Sequence, residues 1–242
     1  MDINNQSPRL SRVWFVLLAG PILFFLLIVA ASIFFGILTQ GDAAAIPERV
    51  TASTPYLLVI LQVLLLLTLL WAMRRDGLVW KNIGWELTQG QKLWREALVG
   101  AVPGIALGFL YIFILAPLMV NIQKAFGDYV PAGELLPALG GALLPFFVAN
   151  VLLAPWVEES IYRGYAITRL RSRYSMVVAT ILSCFFFGLL HWTGGFWYML
   201  LTGVVAGGLF AGLLIWRKNI ITPFAAHLAL NIVEFLLVWR LG

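Results

Sequence analysis

Apolar runs of about twenty residues recur along the chain, divided by short connections in which the charged residues gather. A helix that crosses a lipid core needs roughly 20 consecutive apolar residues. The pattern predicts seven such helices, over 13–38, 56–73, 97–120, 136–157, 175–192, 196–216 and 220–239. The expected fold is an all-α, polytopic transmembrane bundle of about seven helices, with eight as the alternative count. The first run is too long for a signal-peptide core and has no small-residue cleavage site, so it reads as a retained anchor.

Lys and Arg crowd into alternate connections. Arg9 and Arg12 precede the first run, Arg74, Arg75, Lys81, Lys92 and Arg95 follow the second, Arg163, Arg169, Arg171 and Arg173 follow the fourth, and Arg217 and Lys218 follow the sixth. The other connections hold only Arg49 and Lys124, and Arg240 closes the chain. Positive residues mark the cytoplasmic side of membrane proteins, so the N-terminus is expected inside and the C-terminus outside.

Composition sharpens this picture. Hydrophobic residues make up 62% of the 242 and charged residues only 11%, against about 25% charged in soluble domains. That excludes an ordinary cytosolic enzyme and a disordered tail. The net charge of +5 is scattered between apolar blocks, so no nucleic-acid partner is expected. The single cysteine, Cys184, allows no intrachain disulfide. Trp14, Trp71, Trp80, Trp94, Trp216 and Trp239 fall near run ends, as interfacial anchors do. Residues 78–96 read as an amphipathic segment along the inner surface. Gly100, Gly104 and Gly108, then Gly203 and Gly207, then Gly208 and Gly212, recur every four positions and predict close helix contacts.

Charged groups inside the bilayer are costly, and mark functional sites by default. Outside the connections the short polar set is Glu158, Glu159, Arg163, His191, His227, Asn231 and Glu234, which includes both histidines of the chain. Glu159 and Arg163 are i,i+4 neighbours on a helix and can pair. Glu158 points about 100° away, poorly solvated and suited to general-base work; the plain alternative is two acids marking a span end. Phe187 and His191 share a helix face, and His227, Asn231 and Glu234 form a polar stripe on another, where the alternative is a polar seam between helices.

These groups reach one depth only if the fourth helix continues through Arg163 to about residue 172. Glu158 and His191 then lie about 22 and 25 Å from the turn at 173–174, and Asn231 and His227 about 20 and 13 Å from Lys218.

The motifs Glu-Glu-x-x-x-Arg (158–163), Phe-x-x-x-His (187–191) and His-x-x-x-Asn (227–231), in this order, resemble those of the CPBP family, the type II CAAX prenyl proteases and their bacteriocin-processing Abi relatives. The resemblance covers roughly 135–235. It divides one membrane domain into N-terminal helices with the amphipathic segment (1–130), matching only in being hydrophobic, and a CPBP-like core (131–242). It implies an intramembrane endopeptidase in which Glu158 and His191 activate water, His227 and Asn231 hold the oxyanion, and Glu159 and Arg163 maintain the site's shape. Glu234 lies outside that pattern. No cofactor is favoured; the alternative is Zn2+ on Glu158, His191 and His227.

The expected partners are a peptide or protein substrate reached from the cytoplasmic side and the lipid bilayer, with the oligomeric state open. Small size and the lack of extra domains point to a prokaryotic inner membrane, and there to a processed peptide in place of a prenylated protein. Two rival readings stand beside the peptidase: a non-catalytic scaffold, sensor or bacteriocin-immunity protein of the same fold, and a proton-coupled transporter. The polar residues crowd into the last four spans without the internal repeat that many transporters carry.

Overall fold

A computed structural model describes residues 10–127 and 142–241, the last side chains 238–241 excepted. Seven helices run through these described residues, with no strand among them: α1 Leu10–Leu38, α2 Ala45–Arg75, α3 Leu93–Phe126, α4 Leu143–Leu170, α5 Met176–Leu190, α6 Phe196–Arg217 and α7 Ile221–Leu241. The all-α bundle is as expected. The predicted start of the fourth span, 136–141, lies outside the described residues.

By length and composition α1, α2, α3, α4 and α6 can cross a membrane, and α7 runs for 21 residues over the expected 220–239. The run expected over 175–192 forms a helix of only 15 residues. At α5 the reason is local. Ser175 caps its start by accepting from the Val178 N–H at 3.3 Å, and the chain turns away at Gly195 with φ +94°, which favours glycine.

The fourth helix does continue through Arg163, ending at Leu170. Two of its segments are π-helical, Phe147–Leu153 and Glu159–Ile167, a form in which i→i+5 bonds widen the helix and which is frequent at functional sites. Similar segments occur in α3 at Tyr111–Leu115 and in α6 at Thr202–Ala206.

The glycine spacing resolves into two outcomes. A Cβ at Gly100 would lie 2.1 Å from the Thr222 carbonyl oxygen and one at Gly104 2.1 Å from that of Ala226, so α3 and α7 touch backbone to backbone. Gly188 of α5 faces Gly203 of α6 in the same way, a Cβ on the first lying 3.0 Å from the Cα of the second. Gly208 and Gly212 meet nothing within 4 Å, and their expected packing role is withdrawn.

One end of the bundle gathers the basic residues into ion pairs. Asp76 takes Arg12 and Arg169, with Tyr165 donating to it at 2.9 Å. Glu96 takes the Arg217 Nε–H at 2.9 Å and the Thr222 hydroxyl at 2.8 Å. Asn219 then caps α7 by accepting from the Thr222 N–H at 3.0 Å.

Residues 78–96, expected as an amphipathic segment, hold no long helix before α3 begins at Leu93. Only a 3-10 turn, Trp80–Ile83, precedes α3, and Gly84 bends the chain with φ +96°. The tryptophans are used inward as well: Trp80 stacks on Trp156 at 5.5 Å, and Trp85 Nε1 donates to Ser160 Oγ at 2.9 Å. Ile83 is buried against Gly164. The segment thus braces α4 near its charged turn. Large side chains such as Phe25, Ile33, Val102, Phe113 and Ile181 face outward from the bundle, the pattern expected against lipid.

Candidate active site

The carboxylates and their guanidinium come from one helix, and the histidines from two others. On α4, Glu158, Glu159 and Arg163 are all buried, Arg163 completely. Arg163 Nη1 lies 3.2 Å from Glu159 Oε1 across one turn, as the i,i+4 spacing predicts. Its Nη2 donates to the Gly207 carbonyl at 3.1 Å, and its guanidinium carbon stands 4.1 Å from the centre of the Phe187 ring. A cation over an aromatic face is stabilised by the ring quadrupole, more so away from water. A Cβ at Gly207 would sit 3.3 Å from Phe187 and 3.5 Å from Arg163 Nη2, so the glycine leaves room for both side chains.

Glu159 has a second partner. His227 Nδ1 lies 3.0 Å from the same Oε1, with its ring stacked on Phe210 at 4.7 Å. An ionised carboxylate only accepts, so Nδ1 carries a proton. Glu159 therefore clamps α7 to α4 while Arg163 balances its charge.

Glu158 faces elsewhere, as its angular offset requires. Its Oε1 accepts from Gln62 Nε2 of α2 at 2.8 Å. Its Oε2 is buried with no hydrogen-bond partner among the described residues. His191 caps the end of α5, its Nδ1 being 2.8 Å from the Phe187 carbonyl oxygen. A carbonyl cannot donate, so this nitrogen holds a proton and Nε2 is the basic atom of the neutral ring. Asn231 donates through Nδ2 to the Asn150 carbonyl at 2.6 Å, which leaves its second N–H for another acceptor.

Glu158, His191, His227 and Asn231 all line a single cavity of about 770 Å³, and Glu234 joins them on its wall. All four residues expected to act together do meet at one cavity. Glu159 and Arg163 stand behind them. The tertiary arrangement adds residues absent from the motif reading: Gln62 and Asn150, which orient Glu158 and Asn231, and Tyr111 and Tyr198 on the cavity wall. Gln62 had a readable signal, an amide inside the apolar stretch 57–67, because the cost of burying polar groups applies to uncharged ones too.

Among the described residues no three His, Cys, Asp or Glu side chains are grouped to hold a metal. The Nδ1 atoms of both histidines are engaged by oxygen acceptors.

Residues 140–233 match the family model for type II CAAX prenyl endopeptidase, Rce1-like. The resemblance read from the three motifs is thereby borne out over the segment that contains them. Neither the curated proteins nor the solved structures include a match to the chain.

Proposed function

We propose, from the Rce1-like match over 140–233, that this chain is an integral-membrane endopeptidase that hydrolyses peptide bonds in its cavity without a metal. The observation that carries the reading is the buried, unpartnered Oε2 of Glu158 on a cavity wall shared with two imidazoles and Asn231.

The chemistry follows from the hydrogen bonds. Glu158 Oε2 and His191 Nε2 are basic atoms of adjacent cavity residues, and either can take a proton from water as its oxygen attacks the peptide carbonyl carbon. The carbonyl π pair moves onto oxygen, giving a tetrahedral oxyanion. The second N–H of Asn231 serves that oxyanion. His227 serves it through Nε2 only when doubly protonated, since Nδ1–H is committed to Glu159. The Arg163–Glu159–His227 chain suits that form, because the Glu159 carboxylate lies beside the ring. Collapse of the intermediate breaks the C–N bond, and the abstracted proton passes to the leaving amine.

Substrate enters from the side bearing the paired basic residues, which the positive-inside rule makes cytoplasmic, with the N-terminus on that side. The test is cleavage of quenched-fluorescent apolar peptides by purified protein. Glu158→Gln and His191→Ala abolish cleavage with the thermal transition retained, and Asn231→Ala lowers kcat by about 100–1,000-fold. Cleavage unchanged in Glu158→Gln overturns the reading and favours a non-catalytic scaffold.

A further inference from the structure

Glu234 is a cavity carboxylate that the proposed hydrolysis does not use. It follows His227 by seven positions and Asn231 by three on α7, which keeps it on their face of the helix. It lines the cavity together with Tyr111 of α3 and Tyr198 of α6. The two tyrosine rings meet edge to face with centroids 6.0 Å apart, and both lie within electrostatic reach of Glu234. Tyr198 also packs against His191 at 6.1 Å between ring centres, so this corner adjoins the reacting atoms. Residue 234 stands one position beyond the matched segment.

The charge balance of the cavity is unusual for a site that binds a neutral chain. Among the described residues its wall carries two carboxylates, Glu158 and Glu234, and no Lys or Arg. Glu234 forms no ion pair there. Glu158 Oε2, 3% exposed as a residue, is also without a partner. A carboxylate taken out of water is compensated by a cation brought beside it. Aromatic faces next to it add attraction for the same charge.

We propose that Glu234, Tyr111 and Tyr198 form a subsite for one cationic group of the peptide substrate, an alkylammonium or guanidinium. This rests on the peptidase reading for what it does there: it sets which group sits beside the cleaved bond. Leu61, Leu107 and Ile112 on the same wall accommodate aliphatic neighbours, so the favoured substrate is apolar with a single positive charge. A Lys or Arg side chain and a free peptide N-terminus both present that charge.

The test measures binding of three probes to the full-length purified protein in detergent: acetyl-Leu-Lys-Leu-amide, acetyl-Leu-norleucine-Leu-amide, and the second peptide with a free N-terminus. At least one cationic probe binds about tenfold or more tightly than the neutral one, and which of the two does so identifies the source of the charge. Glu234→Gln removes that preference, whereas Glu158→Gln retains it. Tyr198→Leu reduces the preference, which supplies a second variant should Glu234→Gln not fold. Equal affinities, no binding of either cationic probe, or a preference undiminished in folded Glu234→Gln or Tyr198→Leu overturns the subsite. Loss of all cleavage with the binding preference intact overturns the peptidase reading alone.

Discussion

Gln62 donates to Oε1 of Glu158 at 2.8 Å, although the two are 96 positions apart in the chain and only Glu158 lies in the segment matched to the Rce1-like family. Glu158 cannot turn without breaking this bond. The N-terminal helices therefore orient the carboxylate whose other oxygen is buried without a hydrogen-bond partner.

Gln62→Leu is expected to lower kcat by about 10–100-fold, the scale of a small misplacement of a reacting group, with KM nearly unchanged. Steady-state kinetics reads this split. Gln62→Asn, one methylene shorter, restores part of the rate only if the amide positions Glu158. Wild-type kcat in Gln62→Leu refutes the positioning role.

Arg163→Ala removes a fully buried guanidinium and leaves Glu159 without its counter-ion. Breaking a buried pair in this way costs about 3–5 kcal/mol. The variant is expected to unfold at markedly lower denaturant concentration in detergent. Glu159→Gln combined with Arg163→Met should recover part of that loss, since neutral residues leave no orphaned charge.

Two glycine substitutions are predicted to differ in sign. Gly104→Ala places a Cβ 2.1 Å from the Ala226 carbonyl oxygen, and forcing α3 from α7 costs about 1–3 kcal/mol. Gly212→Ala meets nothing within 4 Å and gains up to about 1 kcal/mol of helix propensity. Thermal transitions of the two variants, compared with the parent, check both statements.

Much of the site was readable because its motifs are local. Glu159 and Arg163 pair at i,i+4, Phe187 and His191 share a turn, and His227 and Asn231 share a stripe, all consequences of helical periodicity within a few residues. The convergence of Glu158, His191, His227 and Asn231 on one cavity was also foreseeable, since helix rise converts spacing into depth once α4 is allowed to run to Leu170. Gln62 and Asn150 were not foreseen as partners, because a hydrogen bond between separate helices leaves no periodic trace in either.

Hydropathy and charge, which are sums over neighbouring residues, were enough to establish an all-α membrane bundle and to mark its embedded polar groups. What they could not supply was any quantity that depends on how helices rotate against one another. The Nδ1 contact of His227 with Glu159 is of that kind, and it changes the protonation that the imidazole needs in order to donate. So is the difference between Gly104, pressed on a facing carbonyl, and Gly212, which faces open space. Rotation about a helix axis is settled by packing among elements distant in the chain, and there the pattern of a single segment carries no information.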